Sequence, residues 1–255
     1  MLVKEKEKIF LDGLVKDYTD EAPYSVIKKH LIFDMISSYI QGEGKIALEM
    51  GCANDIETEL LSKIVEKLVV IDGSHLFIEK LKASALQKNV EYIETLFEDY
   101  HSGFENRKFD YVVCNYILEH VYNVEEILRN IRSIMHKDSL CFITVPNCNA
   151  LSRKLALEMG LVESLEALTE NDNKHGHRRT FDFKSAKDCV MMEGFEIIEA
   201  RGVVLKILAD FQLNKLLKDS TLTEAHIQSL NMMAKKEQFI DLSDSIFLVL
   251  KPLVP

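Results

Sequence analysis

The chain of 255 residues contains no C-x-x-C pair, no G-K-[ST] sequence, no Pro/Gly/Ser-rich stretch and no internal repeat. It also lacks any apolar run approaching the ~18 residues of a membrane-spanning helix. Each absence narrows the function. Without C-x-x-C, the five cysteines (Cys52, Cys114, Cys141, Cys148 and Cys189) read as reduced, mostly buried thiols rather than a disulfide framework. Without G-K-[ST], a phosphate loop is excluded. With only 4 prolines and 10 glycines and no linker, no domain boundary announces itself, and residues 1–255 are expected to form one domain. The N-terminal "MLVKEKEKIFLDG" has no apolar stretch of signal-peptide length, so a soluble, cytoplasmic protein is expected. Positive charge is also scarce: 31 Lys and Arg stand against 41 Asp and Glu, a net charge of −10. That balance argues against nucleic acid and against an anionic membrane as partners.

What is present is an ordinary globular composition, 47% hydrophobic and 28% charged. The length is enough to bury roughly 70–75% of the unfolded surface. Residues 1–40 read as helices, with apolar positions recurring at Val26, Ile27, Leu31, Ile32, Met35, Ile36 and Ile40. From Lys45 short apolar runs alternate with amphipathic helices. "KIALEMG", "KLVVIDG", "VEYIETLF", "FDYVVCNYI" and "SLCFITVPN" are the strand candidates. Such continuous apolar strands between helices predict a mostly parallel sheet covered on both faces. Beyond Asn147 the rhythm breaks. "FEIIEARGVVLKIL" and "DSIFLVLKPL" read as the remaining strands, the last one antiparallel at the sheet edge. Residues of about 150–240 have too few strands for plain sheet and are expected to include a helical substrate cap.

The chemistry concentrates at the first strand-to-helix turn, Glu49-Met50-Gly51-Cys52-Ala53-Asn54-Asp55. In open α/β sheets ligands bind at the carboxyl ends of the strands. A dinucleotide site requires G-x-G-x-x-G to seat a pyrophosphate. Here one glycine of three is present, and Asp55 and Glu57 occupy the place a phosphate would take. Acids in that position suit a cationic, phosphate-free nucleoside such as S-adenosylmethionine, whose sulfonium, ammonium and ribose diol all favour carboxylates. Asp72 closes the second strand, 23 residues after Glu49, at the position from which a carboxylate accepts from ribose hydroxyls.

These residues resemble the class I S-adenosylmethionine-dependent methyltransferases. "LEMGCAND" stands where that family carries its acidic, glycine-rich first motif, "VVIDGS" matches its second-strand acid, and "FDYVVCNYILEHV" and "LCFITVPN" are similar to its fourth and fifth strands. The resemblance covers about residues 40–150. It implies a Rossmann-like seven-stranded sheet with an antiparallel last strand. It also implies a cofactor site at Glu49, Gly51, Cys52, Ala53, Asp72, Gly73, Asn115 and Tyr116, with Leu96 and Phe97 flanking the adenine. The product would be S-adenosylhomocysteine. Ala53 and Asp55 replace the family's second and third glycines.

For the methyl acceptor, His120 in "NYILEHV" and His177 are the candidate catalytic residues. His175, Arg178 and Arg179 in "NKHGHRRTFDF", together with Asn147, are the candidate substrate contacts, because arginine pairs suit phosphate or carboxylate. The alternative for that cluster is internal pairing with acids such as Glu170 and Asp172. A zinc site from His175 and His177 is disfavoured because no nearby cysteine completes it, so no metal is expected. "VPNCNALSRKLALEMGL" followed by "GHRRTFDF" resembles methyltransferases of sugars, surface-glycan precursors and antibiotics. The expected function is therefore O-methylation of a small polar acceptor, such as a sugar or a phosphorylated compound, by a monomer or homodimer. N-methylation, a nicotinamide-dependent oxidoreductase and a non-catalytic S-adenosylmethionine-binding protein are the alternatives.

Overall fold

The computed structural model describes residues 3–15, 22–53, 55–84, 88–100, 104 and 107–253, so Asn54 of the glycine turn lies outside the described residues. The strands are β1 (Ile46–Met50), β2 (Lys67–Asp72), β3 (Val90–Glu94), β4 (Phe109–Asn115), β5 (Met135–Pro146), β6 (Phe195–Val203) and β7 (Ser245–Pro252). They form one sheet in the order β3-β2-β1-β4-β5-β7-β6. β1 to β5 pair in parallel, and β7 runs antiparallel to both β5 and β6. The Rossmann-like, mostly parallel sheet with an antiparallel last strand is thus as expected.

One detail differs from the sequence-based expectation. β7 is not the edge strand but inserts between β5 and β6, with Ser245 opposite both Pro146 and Val203. The physical reason is compositional. "SIFLVLKP" is buried along almost its whole length, as a central strand must be. β6 carries Glu196, Glu199 and Arg201 and leaves Ile198 exposed, which suits an edge blunted by charge.

The helices are α1 (Val3–Leu14), α2 (Pro23–Ser37), α3 (Asp55–Ser62), α4 (His75–Ala83), α5 (Val124–Ser133), α6 (Leu151–Glu158), α7 (Glu170–Lys174), α8 (Phe183–Met192), α9 (Asp210–Lys218) and α10 (Glu224–Ala234). Side chains alternate across each strand, so the two sheet faces build two cores. On one face Leu48, Val69, Ile71 and Val112 meet Ile127, Leu128 and Ile131 of α5. That helix buries positions spaced by three and four residues, and Asn123 caps it by accepting from the Glu126 N–H. On the other face Ala47, Leu68, Val70 and Val113 meet Leu31, Ile32, Met35 and Ile36 of α2. α9 and α10 pack against α2, and α10 also against β6, so they extend this helical layer. The segment from Asn147 to Asp182, by contrast, reaches the carboxyl ends of the strands, where the Arg178 N–H donates to the Glu119 carbonyl.

Between α2, β6 and β7 lies a buried ionic network. Asp244 accepts from Lys28 at 3.0 Å, Lys206 at 2.6 Å and the Tyr24 hydroxyl at 3.2 Å. Burial alone would raise the Asp244 pKa, but Lys206 and Lys28 outweigh it and hold the carboxyl well below its ordinary 3.8. Removing one partner of a buried pair leaves the other charge uncompensated. Asp244→Asn is expected to cost on the order of 3 kcal/mol at pH 7 in urea unfolding. Because the folded-state pKa is depressed, the stabilisation is complete above the unfolded value and fades as pH falls below it. The gap between wild type and variant should therefore close below pH 3.8.

Candidate cofactor and acceptor site

The site begins where β1 runs into α3. Gly51 has φ +79°, and its N–H donates to the Ile71 carbonyl at 2.8 Å, which draws the turn against the end of β2. A Cβ at Gly51 would sit 2.6 Å from Ile117 Cδ1 and 3.6 Å from Phe97 Cζ. Glycine is therefore required both by the left-handed backbone and by the close approach of the loop after β4. Gly73 is similarly tight, its missing Cβ facing Leu96 Cδ2 at 2.8 Å and Leu11 Cδ1 of α1 at 2.7 Å. Phe97 thus packs at Gly51 and Leu96 at Gly73.

Two buried acids, Glu49 and Asp72, and the half-buried Glu57 line this turn. The two carboxylate oxygens of Asp72 accept from the Cys52 N–H at 3.0 Å and the Ser74 N–H at 2.8 Å, which fixes its orientation between the glycine turn and the start of α4. Asp72 is 7% exposed, and burial raises its pKa against the pull of those two bonds. Glu49 is 1% exposed, and neither of its oxygens has a hydrogen-bond partner. Burial, then the charge of Glu57, drives its pKa well above the ordinary 4.5. Glu57 accepts from the Asn115 side-chain amide, whose oxygen accepts from Thr144 Oγ1 at 2.6 Å. Lys29 of α2 lies in the field of these acids, yet burial lowers its pKa to about 8. Glu57, Lys29 and Thr144 were not assigned from the sequence, although Glu57 stands in the acidic stretch that drew attention.

The donor set fits S-adenosylmethionine. An orphaned buried carboxylate at Glu49 seeks a cation, Asp72 keeps acceptor capacity for a diol, and bare backbone at Gly51 lets a ligand approach. Ala53 adjoins the same turn. Tyr116 differs from its neighbours. With φ +57° it turns toward α2, its hydroxyl pairing with Ser245 Oγ at 2.9 Å and its ring lying 5.0 Å from the Lys28 ammonium.

Helix α1 straps across this region. Lys8 pairs with Glu94 at the end of β3, Asp12 accepts from Ser74 Oγ and Leu76 N–H, and Glu7 takes two bonds from Arg178 at 2.8 and 2.9 Å. Arg178 also donates from Nε to the His120 carbonyl and lies 3.7 Å from the Tyr122 ring. Arg179 donates to the carbonyls of Leu118, Val121 and Tyr122. Asn147 is buried and bonded to Asp241, Ser243 and Asn149. His175 ends α7 with Nδ1 on the Asn171 carbonyl. These partners give Arg178, Arg179 and Asn147 the work of clamping loops together.

Under that clamp His120 and His177 come together, their rings edge-to-face at 4.8 Å between centroids. The Glu119 carboxyl lies 4.0 Å from His120 Nε2, is 1% exposed and has no hydrogen-bond partner. Burial pushes Glu119 up to about 7, and burial and His177 push His120 down to about 4. His177 Nδ1 is held by Asp172 at 3.2 Å, and Asp172 is itself locked in the Thr169 capping box of α7.

A profile described as a methyltransferase domain matches residues 28–200, more than half of the chain. The chain belongs to this methyltransferase family. Among curated relatives, the ubiquinone biosynthesis O-methyltransferase of Glaesserella parasuis is 27% identical over 138 residues, 50% of this chain and 58% of that protein. The match therefore spans a little over half the length of that relative. Among solved structures, the methyltransferase is similar in fold to the N-methyltransferase NodS of Bradyrhizobium japonicum bound to S-adenosyl-l-homocysteine. The TM-score is 0.58 at 12% identity, covering 95% of this chain and 98% of NodS. A methyltransferase of Mesorhizobium loti gives the same TM-score of 0.58 at 11% identity, covering 86% and 97%. No helix among the described residues of this methyltransferase is long and apolar enough to cross a membrane.

The Gly51 turn yields a direct test. Gly51→Ala is expected to destabilise the methyltransferase by about 1–2 kcal/mol in urea unfolding, the cost of a left-handed alanine.

Proposed function

We propose that this methyltransferase moves the methyl group of S-adenosylmethionine to a hydroxyl of a small polar acceptor. The observation that supports it most is the Glu119–His120–His177 triangle. Two of its members, Glu119 and His120, sit on the loop after β4, which abuts Gly51 through Ile117. Glu49 and Glu57 would face the ammonium and sulfonium, Asp72 the ribose, and Leu96 and Phe97 the adenine. Gly51, Cys52, Ala53 and Gly73 would lend backbone, Asn115 would hold Glu57 in place, and Tyr116 would support the floor from below.

When bound, the cofactor supplies an electrophilic methyl carbon. The protein's part is to align the acceptor oxygen with that carbon, exclude water and receive the hydroxyl proton. An amine needs no base for this displacement, whereas an alcohol gains from one, so the triangle favours O- over N-methylation. The curated relatives named for O-methylation point the same way. A phosphorylated or sugar-phosphate acceptor would draw on the 175–179 cluster. Because Arg178 and Arg179 are committed to Glu7 and to backbone carbonyls, a hydroxyl-bearing acceptor without phosphate is the better supported choice.

Methyl-labelled S-adenosylmethionine offered with matched panels of alcohols, phenols, phosphorylated sugars and amines tests this. Label is expected in hydroxyl-bearing compounds; label confined to amines would overturn the proposal. With any acceptor found, Asp72→Ala should raise the KM for S-adenosylmethionine at least about tenfold, the loss of charge-assisted bonds to a diol.

A further inference from the structure

We propose that Glu119, His120 and His177 form a binding site for one first-row divalent cation of the zinc type, which ties the cap segment to the loop after β4. It rests on the methyltransferase reading only for what the cation would do there, not for its binding. One ligand atom from each of the three side chains lies within 4.8 Å of the other two. Tetrahedral zinc with bonds of about 2.0–2.1 Å places its ligands roughly 3.3 Å apart, so small side-chain rotations close the set.

Three independent features mark the triangle as built for a cation. First, the Glu119 carboxylate is fully buried and both oxygens lack partners, a costly arrangement unless a positive group completes it. Second, Asp172 anchors His177 through Nδ1, which leaves Nε2 as that ring's remaining donor atom. A carboxylate behind a ligating histidine is the usual outer support of such sites. Third, the His120 ring packs edge-to-face against the His177 ring, 4.8 Å between centroids, so the two imidazoles are held as a pair. Arg178 and Arg179 neighbour the site but spend their donors on Glu7 and on carbonyls.

Two imidazoles and one carboxylate select zinc or cobalt over magnesium or calcium, which prefer all-oxygen shells. Three protein ligands leave a fourth position for water or for the acceptor oxygen. Because His177 lies on the 147–182 segment and Glu119 and His120 on the loop after β4, a bound cation would tie the two together.

The test uses the full chain, stripped with chelator and then titrated calorimetrically with Zn²⁺, Co²⁺ and Mg²⁺. Visible absorption of bound Co²⁺ serves as a second readout. One equivalent of Zn²⁺ and of Co²⁺ should bind and Mg²⁺ should not. Asp172→Asn should weaken Zn²⁺ about ten- to a hundredfold. His177→Ala should weaken it further, and His175→Ala should leave it unchanged. S-adenosylhomocysteine binding, measured on each variant, reports that the fold and cofactor site are intact. Absence of Zn²⁺ and Co²⁺ binding, or binding that His177→Ala leaves untouched, would overturn the site while leaving the methyltransferase reading standing.

Discussion

An uncompensated acid buried at the end of a strand is the constraint around which this molecule is arranged. Glu49 lies at the carboxyl end of β1 with its oxygens unpartnered, and Asp72, one strand away, is held by two backbone N–H groups but remains buried. Such groups either take up a proton, as the raised pKa of Glu49 indicates, or are joined by something cationic or rich in hydroxyls. A pyrophosphate is repelled by the same charges. On the proposed cofactor site, the choice of nucleoside would be made by electrostatics before any contact to the base, and the glycine turn would supply room.

The second layer of organisation is a clamp. Arg178 and Arg179 bind the backbone of the loop after β4, while Glu7 of α1 reaches across to Arg178. Helix α1 on one side and the 147–182 segment on the other thereby meet at a single guanidinium. Exposed ion pairs at the ends of α1 contribute little individually. The Arg178 node is different, because it combines a carboxylate whose two oxygens accept from Nη2, a backbone carbonyl and an aromatic face. It holds Glu119, His120 and His177 close enough to act as one unit.

Much of the sheet was legible because parallel strands covered on both sides appear as unbroken apolar runs. Gly51 was legible as a tight turn, and Asp72 drew attention only as the partner of Glu49 at a second strand end. The position of β7 was not, since strand order is a tertiary property and only the contrast between apolar "SIFLVLKP" and charged "FEIIEARGV" hints at it. Nor were the partners of Arg178 and Arg179, because carbonyl acceptors carry no sequence signature. The pairing of His177 with His120 joins distant segments, so a search for ligands at short spacing looks toward His175, which faces its own helix instead. Local chemistry was readable, and the meeting of distant loops was not.

The most direct measurement is calorimetric titration of the protein with S-adenosylhomocysteine, with NADH as the control ligand, on wild type and on Glu49→Gln. One equivalent of S-adenosylhomocysteine bound by wild type, markedly weaker binding by the variant and no heat from NADH would be the result that buried acids choosing a phosphate-free nucleoside require. Binding of NADH, or an affinity for S-adenosylhomocysteine that Glu49→Gln leaves unchanged, would contradict it.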